Sequence, residues 1–172
     1  MDEAIQLAIE MSEANWNNVK NDLKNLTPEE IDWRPLPQAN NINVLVKHLR
    51  VVEELLFSRL EQGEQSPYRD GPSVQKLTDS VPQNFDRNMQ QLEAFHHRFI
   101  AALRATTLAE LKRKTFLTPF AQGPQPANTL LLGEISHLAT HRGQIRTVRN
   151  LYRKARGEQG LFLPQNPTFG ES

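Results

Sequence analysis

His137 and His141 stand four residues apart within the stretch LLLGEISHLATHRGQIRTVRNLY, residues 130–152. At about 100° per residue, a helix turns these rings only about 40° apart, so both project from one face. Leu130, Ile145, Val148, Leu151 and Tyr152 fall on that face, which points the imidazoles toward an apolar core. Two polar rings there need partners, because an unpaired buried polar group costs about 1–3 kcal/mol. One metal ion satisfies both, since histidines at i and i+4 can chelate a single ion. His48 lies on the inward stripe of a different helical segment and supplies another imidazole. Neutral imidazoles converging in this way, with a coordination position left open, have the form of a catalytic zinc site. The plainer alternative has the histidines hydrogen-bonded to backbone or water.

Glu134, one turn before His137, stands near the same face. It could serve as a ligand, a general base or a partner that orients an imidazole. It could equally be an early-helix glutamate favoured by the helix dipole. A two-metal arrangement is a further option, because Glu93-Ala-Phe-His96 and Glu134-Ile-Ser-His137 are both Glu-x-x-His. That i, i+3 pattern is the one di-iron carboxylate bundles draw from two helices. Glu10 or Glu13 and Glu53 or Glu54 would then complete the carboxylates. Those glutamates mostly sit off the inward stripes, and His48 and His141 are left without a role. Outside that arrangement, His96 reads as a satisfied core histidine and His97 as solvated. Arg142, Arg146, Arg149, Arg153 and Arg156 form a flanking stripe. It is either a solvated face whose cations suit a helix C-terminus or a patch for a partner or an anionic substrate. Gly143 costs about 1 kcal/mol relative to Ala inside a helix, which suggests the close approach of another helix.

Four amphipathic helices must position these groups. The first, Asp2 to Leu26, turns Ile5, Ile9, Trp16, Val19 and Leu23 inward. Thr27-Pro28-Glu29-Glu30 reads as a capping box with proline at the first helical position, so a short helical turn follows. Pro35 and Pro37 then force an extended connector. Asn40 or Asn41 caps the second helix, which runs to about Gln62 and ends at Gly63. Its inward stripe is Val44, Leu45, His48, Val52, Leu55 and Leu56. The third helix runs from about Pro82 to Ala105 with Phe85, Met89, Leu92, Phe99 and Leu103 inward. Thr107-Leu108-Ala109-Glu110 is another capping box that opens a short helix, and the histidine-bearing helix is the fourth. Residues 63–82 and 115–128 read as long loops, of the kind that cover a site at one end. The expected fold is all-α, a four-helix bundle with two long loops and short extra helical turns. It makes a single domain over residues 1–172, with a core of about 2–156. The tail 157–172 reads as irregular, and Leu161, Phe162 and Phe169 could pack it onto the bundle.

Twenty Lys and Arg balance twenty Asp and Glu over 172 residues, so no net field points to nucleic acid or a membrane surface. The absence of cysteine excludes disulfides, thiolate catalysis and cysteine-ligated zinc, leaving histidine and carboxylate as the good metal ligands. The acidic, periodic start MDEAIQLAIEMSEANW is unlike a signal peptide. No apolar run approaches the ~20 residues that span a bilayer. A cytoplasmic protein acting on a small molecule, with no nucleic acid or membrane partner, is expected.

Asn41-Ile42-Asn43-Val44-Leu45-Val46-Lys47-His48-Leu49, taken with His137-Leu138-Ala139-Thr140-His141-Arg142-Gly143-Gln144-Ile145, resembles the DinB/YfiT-like family. The stretch Leu-Thr-Pro-Glu-Glu-Ile-Asp-Trp-Arg-Pro at 26–35 is similar to that family's entry to its second helix. The resemblance extends from the first helix to about Tyr152 and rests mainly on H-x-x-x-H-R-G-Q-I. It implies a four-helix bundle and a divalent ion, commonly zinc or nickel, held by His48, His137 and His141. It also implies metal-dependent chemistry of the kind that thiol S-transferases perform with bacillithiol or mycothiol, or that a mycothiol-dependent isomerase performs, and frequent homodimers. The expected function is therefore a metal-dependent enzyme, S-transferase-like or hydrolase-like, with a low-molecular-weight thiol as possible co-substrate. The alternatives are a non-catalytic metal-binding or stress-response module and a di-iron carboxylate oxidoreductase.

Overall fold

The computed structural model describes residues 2–62, 74–116 and 123–160. Its elements are α1 (Glu3–Asp22), α2 (Pro28–Asp32), α3 (Ile42–Gln62), α4 (Val74–Ser80), α5 (Phe85–Arg104), α6 (Leu108–Arg113), β1 (Thr115–Phe116), β2 (Gln125–Pro126) and α7 (Thr129–Ala155). The protein is all-α, with α1, α3, α5 and α7 as the long helices. Side-chain caps mark the starts of α3 and α5 and of the short helices α2 and α6, whereas α1 and α7 start without one. Asn41 Oδ1 accepts from the Val44 amide at 2.9 Å, and Asn84, rather than Pro82, caps α5 through the Arg87 amide. Thr107 and Glu110 close the expected capping box at α6. At α2, Thr27 accepts from the Glu30 amide, while the Glu30 carboxylate turns to Arg149 on α7.

Two expected loops contain structure. Helix α4 lies within 63–82, and β1 pairs antiparallel with β2 across 115–126, Thr115 opposite Pro126 and Phe116 opposite Gln125. Gly63, where α3 was expected to stop, and Leu161, Phe162 and Phe169 of the tail lie outside the described residues. No described helix is long and apolar enough to cross a membrane.

The core falls into two apolar groups. One gathers Ile5 and Ile9 of α1, Leu55 and Leu60 of α3, Phe99 and Leu103 of α5, and Leu130 of α7. The other gathers Trp16 and Val19 of α1, Ile42, Leu45 and Leu49 of α3, Leu92 of α5, and Leu138 and Ile145 of α7. The first group takes the N-terminal parts of α1 and α7 and the C-terminal parts of α3 and α5. Thus α1 and α7 run one way and α3 and α5 the other. A parallel α3–α5 pair obliges the chain after Gln62 to travel back along the bundle before α5 begins. Helix α4 lies on that return and packs on α3.

A buried polar layer separates the two apolar groups, with one residue from each long helix: Ser12, Glu53, His96 and Glu134. The hydrophobic periodicity of all four helices is interrupted at one level.

Candidate metal centre

His48, His137 and His141 come together on the same side of that layer, where α3 faces α7. Their ring centroids are 5.2 Å apart for His48–His137, 4.6 Å for His48–His141 and 4.4 Å for His137–His141. One ring nitrogen of each lies within 4.8 Å of the others. The rings are half-buried at the α3–α7 seam rather than sunk in the apolar core as the periodicity suggested. Leu151, placed with them on the inward face, is 40 % exposed, whereas Leu130, Ile145, Val148 and Tyr152 are buried. Tyr152, the next residue, packs against Trp33 instead.

The outer nitrogens of two rings are held. His141 Nδ1 lies 2.8 Å from Gln144 Oε1, an acceptor, so Nδ1 carries the proton and Nε2 keeps its lone pair. Thr78 of α4 already donates its hydroxyl to the Val74 carbonyl at 2.8 Å. Its oxygen therefore faces His48 Nδ1, 3.4 Å away, as an acceptor, and His48 Nε2 is likewise left with a lone pair. That lone pair points at His137 Nε2, 3.1 Å distant. Two imidazole nitrogens ligating one tetrahedral zinc at about 2.0–2.1 Å stand about 3.3–3.4 Å apart. The observed spacing and the two fixed tautomers therefore fit one small divalent ion. Without an ion, His137 must donate Nε2–H to His48, which leaves its buried Nδ1, already without a partner, as an unsatisfied acceptor.

The electrostatics point the same way. Burial, followed by the neighbouring His141, lowers His48 to about 4. Burial, then His141 and His48, lowers His137 to about 3. Burial also lowers His141, against the opposing pull of Gln144. All of these rings are neutral near pH 7, as metal ligation requires.

The family model of the DinB superfamily matches residues 11–145. The chain belongs to the DinB superfamily. No curated protein matches it. Its fold is similar to the crystal structure of a DinB-like protein, YjoA, from Bacillus subtilis, at 13% identity and a TM-score of 0.58 over 95% of this chain and 96% of that one. At that identity the likeness concerns the fold.

The remaining candidates in this DinB-superfamily chain sort themselves by burial. Glu134 is fully buried and accepts from Ser12 Oγ at 2.6 Å. Its neighbours in the polar layer are Glu53 and His96, not the histidine trio. The di-iron arrangement is not assembled. Glu10 bonds Gln6 at the surface, Glu13 pairs with Arg104, Glu54 with Arg50 and Glu93 with Lys20. Each is held by a residue at or near the surface, so among the described residues Glu53 and Glu134 bring the carboxylates to the interior layer. His96 is buried and His97 exposed, as their spacing implied, but both His96 ring nitrogens lack a hydrogen-bond partner, so it is not the satisfied core histidine expected.

Most of the arginine stripe is engaged within the chain. Arg142 Nε pairs with Asp22 at 2.7 Å and Arg146 Nε lies 3.9 Å from the same carboxylate. Arg149, only 7% exposed, pairs with Glu30 at 2.7 Å and donates to the Asp22 carbonyl. Arg156 reaches Glu29 and Glu158. These contacts tie α7 to the end of α1 and to α2. Gly143 does not mark a close helix approach: a Cβ there meets nothing within 4 Å. It lines a cavity of about 510 Å³, together with Pro35, Leu45, Thr140, Gln144 and Val148. Thr78 and Gln144 were not singled out from sequence. Gln144 was legible as the i+3 neighbour of His141, but Thr78 lies in a segment without periodicity.

Proposed function

We propose that this chain is a divalent-metal-dependent enzyme whose ion is held by His48, His137 and His141. The observation that carries the reading is the facing pair of Nε2 atoms, 3.1 Å apart, with the Nδ1 atoms of His48 and His141 occupied by Thr78 and Gln144. The DinB superfamily's association with metal is consistent with it. When bound, the ion supplies a Lewis acid that ionises a coordinated water or thiol near neutral pH. Gln144 and Thr78 keep the ligating nitrogens deprotonated and oriented, as outer partners of metal-bound histidines do. The chain has no cysteine, so the nucleophile comes from water or from a low-molecular-weight thiol.

Gln144 also lines the 510 Å³ cavity, whose wall combines apolar Pro35, Leu45 and Val148 with the hydroxyl of Thr140. That lining suits a small, mainly apolar electrophile, and thiol transfer or hydrolysis at its reactive carbon is the reaction class we assign. A homodimer is the assembly we propose. Leu7 and Met11, one turn apart on α1, and Leu132 on the neighbouring α7 are exposed, and sedimentation tests that state.

The test of the metal site is zinc affinity by calorimetry on protein purified without a nickel resin. His141→Ala is expected to weaken zinc binding at this site by more than 100-fold, with the helical content unchanged. Equal zinc affinity in wild type and His141→Ala overturns the assignment. Thermal shifts with candidate thiols, in the zinc-loaded protein, then identify the co-substrate, because a native-state binder raises apparent stability.

A further inference from the structure

The polar layer that divides the core is chemically unfinished. Glu53 and Glu134 are 0% exposed and His96 is 1% exposed. Both carboxylate oxygens of Glu53, both ring nitrogens of His96 and Oε2 of Glu134 are buried without a hydrogen-bond partner. His96 Nδ1 lies 3.6 Å from Glu134 Oε1, beyond hydrogen-bond distance. One ligating atom from each of these residues lies within 4.8 Å of the others. Native proteins leave only a few such atoms unpaired per hundred residues, and here five of them meet at one point.

The surroundings hold the cluster in place rather than satisfy it. Ser12 donates to Glu134 Oε1 at 2.6 Å, which fixes that carboxylate and leaves its other oxygen facing inward. Trp16 stacks on the His96 ring at 5.1 Å with the planes 29° apart, which sets the ring's orientation without supplying a partner. The apolar groups above and below seal the layer from water.

We propose that Glu53, His96 and Glu134 form a second cation site, separate from the three histidines, for one divalent ion such as zinc or manganese(II). Two carboxylates and a neutral imidazole carry two negative charges, which a divalent ion cancels, and oxygen–nitrogen donor sets of this kind suit these metals. Burying two carboxylates uncompensated is costly. Burial and the Glu134 charge push Glu53 well above the ordinary carboxylate range in the metal-free protein. A cation removes that conflict, and a shared proton is the competing solution.

The ion's role is structural. With ligands from α3, α5 and α7 and an orienting hydroxyl from α1, it fastens all four long helices at one level. The sealed layer offers no route for a substrate. On α7 the two sites are three residues apart, Glu134 to His137, a rise of about 4.5 Å, so the structural ion braces the helix that carries two of the outer ligands. This site does not depend on the enzymatic reading.

The test is metal content after refolding from denaturant with excess zinc, and separately with manganese(II), followed by desalting and elemental analysis. Wild type is expected to hold two ions per chain and Glu53→Gln one. Glu53→Gln keeps shape and removes a buried charge, so it retains the fold, which helical circular dichroism verifies. His141→Ala is expected to keep the inner ion. If Glu53→Gln and His96→Ala hold as many ions as wild type with both metals, the layer is a proton-sharing cluster and the proposal fails. Loss of one ion in Glu53→Gln with none lost in His141→Ala upholds this site while removing the outer one.

Discussion

The two histidine-bearing clusters are near neighbours along the bundle, yet their environments are opposites. The outer one, His48, His137 and His141, is half-buried, built from neutral groups, and has Thr78 and Gln144 to fix its tautomers. The inner one, Glu53, His96 and Glu134, is sealed, carries carboxylates, and leaves most of its polar atoms unpaired. Donor chemistry makes either a possible metal site. Exposure decides what each can do. An ion at the seam can meet a substrate, whereas an ion in the layer can only hold helices together.

The same contrast governs the ion pairs, and it supplies the largest expected effect. Arg149→Ala leaves Glu30 buried without its cation and cuts the tie between α7 and the end of α1. Urea unfolding should show a loss of about 3–5 kcal/mol, the range for breaking a buried pair by removing one partner. A loss below about 1 kcal/mol would show that this seam is as solvated as an ordinary surface pair.

Gln144→Ala sharpens the outer half of the comparison. It removes the acceptor that holds His141 Nδ1–H and should weaken zinc binding about 10–100-fold, the usual cost of losing an outer hydrogen-bond partner. Calorimetry should show Thr78→Val to be milder, because its contact is longer at 3.4 Å.

Opposite in sign between the clusters are the pH dependences of metal-stripped protein. His48 at about 4 and His137 at about 3 lie below their ordinary 6.5. The unfolded chain binds more protons in that interval, so their share of stability is present above pH 6.5 and is lost as pH falls toward 4 and 3. Glu53 is raised above its ordinary 4.5. Its share is therefore present below pH 4.5 and is lost as pH rises through the folded value. Thermal melts across pH should show His48→Gln flattening the acid limb and Glu53→Gln flattening the opposite one. If both variants flatten the same limb, the contrast drawn between the clusters is wrong.

The smallest effect is expected at the surface. Arg104→Ala breaks a pair with Glu13 in which both side chains are exposed, and should change stability by no more than about 0.5 kcal/mol in the same urea assay. A value approaching that of Arg149→Ala would remove burial as the deciding variable.

Sequence alone determined the long helices and the shared face of His137 and His141. Apolar spacing set α1, α3, α5 and α7, Asn41, Thr27 and Thr107 set the starts of α3, α2 and α6, and the i, i+4 spacing put His137 and His141 on one face. Those are short-range consequences of 3.6 residues per turn and of side chains bonding backbone three residues away. Tertiary structure decided the rest. It aligned Ser12, Glu53, His96 and Glu134 at one level, because a level is defined only once four helices have fixed directions and offsets. It brought Thr78 beside His48, because a parallel α3–α5 pair forces the intervening chain back along the bundle. It also turned an apparent arginine patch into a seam, because Asp22 and Glu30 meet α7 only after the chain has folded over more than a hundred residues.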